Sequence, residues 1–201
     1  MIIGIDLAGP KNHTDTAISF IEDKNIKVYS GFSDDELFNF LFKHKAKYVG
    51  IDAPLSYSQQ GGYRESDRDL RTYLNSFGFT KIGVMPPTYS RMIYLTSRGI
   101  RLTRLFSFLD IKPILYECHP GAFLALDNYN YEDVLLVKKS IPSINNLIKA
   151  IEIRGYTFKI KPKNDHEIMS VAVALAVESK INGKIHWESC KKDIDGYPFI
   201  A

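Results

Sequence analysis

Gly-Ile-Asp occurs twice in this chain, in MIIGIDLAGP and in KYVGIDAPLS, and each time it ends a short apolar run on a carboxylate. Both runs have the length and β-branched content of a buried strand. An ionised carboxylate taken out of water is costly unless it is paired, hydrogen-bonded or bound to a cation. Asp6 and Asp52 therefore set the question that a fold for this chain must answer. Each can find a partner locally, Asp52 by starting a turn into Ala53-Pro54 and Asp6 by capping the turn that follows it. Two matching strand ends are harder to explain that way than one.

The rest of the first half is strand-rich. TAISFI and NIKVYS alternate, with GPKNH and EDKN as turns, which predicts three antiparallel strands in a meander. SDDELFNFLFKHK has Ser33 as N-cap, early acids, Leu37, Phe38 and Leu41 at helical spacing and a basic end, so an amphipathic helix leads to the strand KYVGID. The middle is more helical. YRESDRDLRTYLNS predicts a polar helix, and PPTYSRMIYLTSRGIRLTRLFSFL one long helix or two interrupted at Gly99. KPILYECHP returns to strand and stops at Pro120. Helices follow around YEDVLLVKK and SINNLIKAIEIR, the second with Gly155 as C-cap. DHEIMSVAVALAVESKING is apolar nearly all round and predicts a buried helix, while the tail KIHWESCKKDIDGYPFIA has no clear pattern.

At 201 residues, 45% hydrophobic and 12% aromatic, the chain can bury a substantial core as one domain over 1–201, with a helical subregion at about 63–110. IMSVAVALAV covers only about half of the roughly 20 residues that span a bilayer, and the first residues lack a basic and then apolar leader. No membrane partner and a cytoplasmic location are expected. Cys118 and Cys190 are the only cysteines, too few for a disulfide framework or a cysteine zinc site. The net charge of +3 is mild, but residues 70–109 hold no Asp or Glu, whereas Arg71, Lys81, Arg91, Arg98, Arg101 and Arg104 are all basic. Such a stretch can attract a polyanion, although charge runs also form solvated helix faces.

Glu117, in the strand before Pro120, adds a third acid on or at the end of an apolar strand. Three carboxylates gathered at one sheet edge repel unless a cation sits among them. Mg²⁺ takes oxygen ligands and keeps waters, which suits a sparse carboxylate cluster that receives a phosphate. Two such ions about 3.5–4 Å apart can activate water and stabilise a leaving oxygen. Glu117 can equally pair with an arginine. Cys118 points away from Glu117 and His119 on a strand, so a Cys118-His119 nucleophilic dyad is not expected, and Cys118 reads as a small buried residue.

IIGIDLAG, VGIDAPLSY, YRESDRDLR, MPPTYSRMIYLTSRGIRL, LYECHPGA and DHEIMSVAVALA, in that order, make nearly the whole chain resemble the family called domain of unknown function 429, whose members are regarded as predicted nucleases. The resemblance implies an α/β, RNase H-like mixed sheet, with antiparallel first strands and then parallel ones, flanked by helices. It also implies acids from the first strand, the fourth strand and a late helix around Mg²⁺ or Mn²⁺. In this chain those are Asp6, Asp52 and a residue between Asp165 and Met169. Members commonly carry His-Glu-x-Asp-Ala there, where this chain reads His166-Glu167-Ile168-Met169-Ser170. A thioether cannot serve a hard cation. Asp165, four residues earlier on the same helix face, is the substitute, and its simpler role is the helix N-cap; Glu167 points elsewhere. The catalytic and metal-binding set is then Asp6, Asp52, Glu117 and Asp165.

Arg64, Asp67, Arg68 and Arg71 are i,i+3 and i,i+4 neighbours on a helix, and pairing among them accounts for much of YRESDRDLR. With the resemblance, Arg64 and Arg68 become phosphate ligands, a task for which the guanidinium fork is suited; Arg98 and Arg101 are further candidates. The function expected is a metal-dependent nuclease, a hydrolase acting on nucleic acid. A catalytically silent nucleic-acid or phosphoester binding protein on the same fold is the alternative, for which Met169 is the decisive residue. An actin-like phosphotransferase also begins with an apolar strand followed by Asp and Gly, but no second Asp-x-Gly loop follows here.

Overall fold

The computed structural model describes residues 1–9, 12–189 and 197–201. Strands β1 (Ile2–Asp6), β2 (Ala17–Glu22) and β3 (Asn25–Ser30) form the expected meander, each antiparallel to the next. A single 3-10 turn, His13–Asp15, lies between the first two. Helix α1 (Asp34–His44) starts at a capping box, in which Ser33 accepts from the Glu36 N–H and Glu36 accepts from the Ser33 N–H. It leads to β4 (Tyr48–Asp52), which lies parallel to β1. After α2 (Glu65–Ser76) and α3 (Ile93–Phe106), β5 (Ile114–Cys118) adds parallel to β4. Helices α4 (Pro120–Leu126), α5 (Tyr131–Leu136) and α6 (Ile141–Ile153) then precede β6 (Thr157–Phe158), α7 (Asp165–Ile181) and β7 (Phe199–Ile200). The seven-stranded sheet has the order β6-β3-β2-β1-β4-β5-β7, an RNase H-like mixed sheet with antiparallel first strands and parallel later ones.

Period-two alternation divides the core. Ile3, Ile5, Val49 and Ile51 face α1 and α3, where they meet Leu37, Leu41, Leu102 and Phe106. The opposite face of the sheet carries α7, with α4 to α6 packed around it. Gly4 and Gly50 are register partners on that face. A Cβ on Gly4 would lie 2.5 Å from the Ala174 N and closer still to the Ser170 O, and one on Gly50 would lie 2.6 Å from Val173 Cγ1. The missing side chains let α7 lie directly on the sheet, and the Ser19 hydroxyl donates to the Ser170 O at 2.7 Å across the same contact. This accounts for half of the repeated tripeptide. Glycine seats the helix, isoleucine fills the other layer, and aspartate returns to the α7 face beyond the sheet's end.

Two points that the sequence leaves open are decided here. Helix α3 continues through Gly99 without a break, because Gly99 is a packing residue: a Cβ would sit 2.9 Å from the Pro54 O. The tail, for which no pattern was legible, supplies the edge strand β7, and Trp187 exchanges backbone hydrogen bonds with Ala201. Cys190 lies outside the described residues. Among the described residues no helix is long and apolar enough to cross a membrane.

Candidate active site

Asp6 and Asp52 are register partners at the carboxyl ends of two adjacent parallel strands, β1 and β4. In open α/β sheets this is the edge where ligand crevices form. Both line a cavity of about 480 Å³ together with Arg64, Glu117, Lys138 and His166. The first turn of α7 stands over the pair, because Asn164 caps the helix by accepting from the Glu167 N–H and Gly4 holds the helix on β1. Positive helix ends favour neighbouring anions.

The two aspartates are not equivalent. His166 Nδ1 lies 2.9 Å from Asp6 Oδ2. Burial raises the Asp6 carboxyl, and the His166 hydrogen bond and charge oppose that rise. His166 is in turn raised, first by its hydrogen bond to Asp6. The Asp52 carboxylate has no side-chain hydrogen bond or ion pair among the described residues. Burial, then the charge of Asp6, push it well above the usual carboxylate range, with Lys138 and His166 acting in the opposite sense. A half-buried carboxylate beside a second one, with no side-chain donor of its own, is a site prepared for a proton or a cation.

Glu117 reaches the same cavity by a different route. Its strand neighbours Tyr116 and Cys118 belong to the α7 layer, so Glu117 points toward the α1 and α3 side of the sheet, away from Gly50 and Asp52. There it is fully engaged. Arg64 Nη1 donates to Glu117 Oε2 at 2.8 Å, Arg64 Nη2 donates to Oε1, and the Leu55 N–H donates to Oε2 at 2.8 Å. The same guanidinium reaches Asp67 through Nη2 at 2.7 Å and Ser56 through Nη1 at 3.1 Å. Burial alone would lower Arg64, but Glu117 and then Asp67 outweigh it and leave it raised. Glu117 and Arg64, expected as a metal ligand and a phosphate ligand, are bound to each other, and the Arg64 fork spends its N–H groups on Glu117, Asp67 and Ser56.

The other expected residues divide similarly. Arg98 is buried away from the cavity, donating to Asp34 Oδ1 at 2.7 Å, Thr16 Oγ1 at 2.7 Å and the Ala8 O at 3.0 Å. It fastens the loop after β1 to the start of α1. Arg101 is exposed and meets the other oxygen of Asp34 at 3.2 Å. Arg68 is exposed on α2 and does not line the cavity. Asp165 does line it, one turn from Met169, and is the first residue of α7 instead of its cap, which is Asn164. Met169 also lines the cavity and is 8% exposed. Glu167 points elsewhere, as expected, and accepts from Ser30 Oγ at 2.7 Å and from the Lys163 N–H at 2.6 Å.

Three residues outside the expected catalytic and phosphate-binding set complete the site. His166 was visible only as part of a motif. Lys81 and Lys138 line the cavity, and among the described residues neither ammonium has an ion-pair partner. They sit in the loop after α2 and just beyond α5, where nothing local marks them. His119 caps α4, its Nδ1 accepting from the Ala122 N–H at 3.2 Å, so Nε2 carries the proton directed at the Gly83 O at 3.2 Å. It thereby ties the loop bearing Lys81 to the end of β5. Cys118 is buried, and burial then Asp52 push its thiol well up, so it is no nucleophile.

Comparison of the chain with known protein families, with curated proteins and with solved structures found no match.

Proposed function

We propose that the protein is a divalent-metal-dependent phosphodiesterase of RNase H-like type, acting on nucleic acid. The observation that carries this reading is the register pair of Asp6 and Asp52 at the wall of the cavity, where Asp52 is half-buried beside a second carboxylate. The resemblance of the strand-end and last-helix motifs to domain of unknown function 429 supports the same reading. The donors fit a hard cation that keeps most of its waters and takes one or two carboxylates. When bound, Mg²⁺ or Mn²⁺ would be held by Asp6 and Asp52, with Asp165 within the same cavity, and would supply charge neutralisation at a phosphate and a water acidic enough to attack it.

The chain's own residues account for the rest. Lys81 and Lys138 draw a phosphate toward the carboxylates. His166 fixes the orientation of Asp6 through its Nδ1 contact, and the same contact raises its pKa, which favours the protonated ring. Arg64 and Glu117 stiffen the far wall, and Met169 and Val137 add apolar surface to the cavity lining. Hydrolysis of bis(p-nitrophenyl) phosphate in Mn²⁺ tests the reading. Activity lost in chelator and in Asp52→Asn supports it, and activity unaffected by either removes it.

A catalytically silent phosphoester-binding protein on the same fold is the second reading. Met169 favours it, because a thioether stands in the cavity wall where the resemblance implies an acid.

A further inference from the structure

The site described so far handles a phosphate; the surface leading to it says which kind of strand carries that phosphate. At the carboxyl end of α2, four rings form a continuous series. Tyr73 and Phe77 have centroids 5.1 Å apart, Phe77 and Phe79 are 6.5 Å apart and within 13° of parallel, and Phe79 and Tyr131 are 5.1 Å apart. Phe77, the middle of the series, is 57% exposed. The series ends at the cavity, because the Tyr131 hydroxyl accepts from the N–H of Lys81, a cavity residue, at 3.0 Å. Arg71 of α2 lies at 4.9 Å over the ring of Tyr63, which precedes that helix. Tyr73, Phe77 and Phe79 belong to the stretch 70–109 that holds no acid.

We infer that this protein takes single-stranded nucleic acid, with unpaired bases stacked on the Phe77 ring series and the backbone led by Lys81 and Lys138 to the aspartates. The inference rests on the phosphodiesterase reading for the chemistry done, but not for the binding. Aromatic faces bind bases without regard to sequence, and only unpaired bases present a free face. Lys81, whose backbone N–H meets Tyr131 at the end of the ring series, and Lys138 in the cavity wall complement the phosphates, whereas a ring series leading to no cation would suit a protein partner. The cavity agrees with this choice. At about 480 Å³, walled by the loop at 81–85 and by 135–138, it has the size of a small-ligand pocket. It admits a nucleotide unit, not the breadth of a duplex.

Fluorescence anisotropy with labelled oligothymidylate of about ten nucleotides, in chelator, tests the proposal. The wild type should bind the single strand more tightly than the matching duplex. Phe77→Ala should weaken single-strand binding about fivefold or more, the range that loss of one stacked base predicts, and Phe77→Tyr should restore it. Phe42→Ala, at an aromatic 56% exposed in the last turn of α1, should leave affinity unchanged. Equal affinity of wild type and Phe77→Ala, a loss not restored by Phe77→Tyr, or preference for duplex would overturn it. Hydrolysis of the small diester separates the two readings. Strand binding through Phe77 without hydrolysis leaves this inference standing and assigns the site to a silent binding protein. Hydrolysis without Phe77-dependent binding overturns the inference alone.

Discussion

Asp6 and Asp52 are paired in register on neighbouring parallel strands, each two residues beyond a glycine that seats the same helix. The shared tripeptide thus encodes a single geometric instruction twice. Glycine admits α7 onto the sheet, and one pleat later an aspartate on the same face meets the start of that helix. Helix position and carboxylate position are consequently coupled, and a change at either glycine would displace the α7 residues His166 and Met169 from the pair.

Asp52 stabilises the site's function at the expense of the fold. Its pKa is raised, so below the unfolded value of 3.8 its protonated form suits the fold, and that advantage is lost as pH rises through the raised folded value. At neutral pH in chelator, Asp52→Asn should therefore melt higher than wild type, by about 2–4 °C for each kcal/mol relieved. Mn²⁺ should raise the wild-type melting temperature and leave Asp52→Asn unmoved. Calorimetry in chelator and in Mn²⁺ checks both; a mutant that melts lower in chelator would show that Asp52 has a stabilising partner.

Removal of Arg64 should act on stability before anything else. Arg64→Ala leaves Glu117 and Asp67 buried without their cation and should cost about 3–5 kcal/mol. Arg64→Lys should recover little, since one ammonium cannot match a fork that reaches Glu117, Asp67 and Ser56 at once. Urea unfolding measures the loss. A cost under about 1 kcal/mol, the value of an exposed pair, would mean the network is open to water.

His119 gives a pH dependence of opposite sign to that of Asp52. Burial lowers its pKa below 6.5, so its neutral form supports the fold above that value. Stability should fall as pH drops through about 6.5 toward the lowered folded value, because protonation at Nδ1 breaks the cap on α4 and adds a buried charge. His119→Asn keeps a capping oxygen and cannot titrate. The difference in melting temperature between wild type and His119→Asn should therefore shift in favour of the mutant between neutral pH and pH 5. A constant difference would mean that His119 titrates as it does in the unfolded chain.

How far the site was legible follows from which constraints are local. Strand ends at Asp6 and Asp52, the capping box at Ser33 and the buried helix over Val171 to Val177 are written in periodicities and caps that a few adjacent residues carry. The pairing of Arg64 with Glu117 is not, since 53 positions separate them and either acid or cation reads equally well as a ligand. The roles of Arg98 and Asp34 were hidden for the same reason. Lys81 and Lys138 owe their place to a loop and a helix end, which leave no periodic trace. Glu117 also shows the limit of counting acids at strand ends: strand parity turned it to the other face, and parity is settled only when the register is known.

Met169 is where the sequence departs from the pattern that its neighbours suggest, and it offers the sharpest test. It lies one turn from Asp165 in the wall of the cavity, with Ile168 and Val171 fully buried beside it. A carboxylate placed there enters a dry surrounding and joins a pair that already repels, so in chelator Met169→Asp should melt well below wild type, the cost of an uncompensated buried charge being several kcal/mol. A cation shared with Asp6 and Asp52 would reverse that cost, because the ion's charge dominates the local field. The mutant should then show a larger Mn²⁺-dependent rise in melting temperature than wild type, together with faster Mn²⁺-dependent hydrolysis of bis(p-nitrophenyl) phosphate. Should Met169→Asp melt low and gain nothing from Mn²⁺, the position is core packing alone, and the first turn of α7 contributes Asp165 or no ligand.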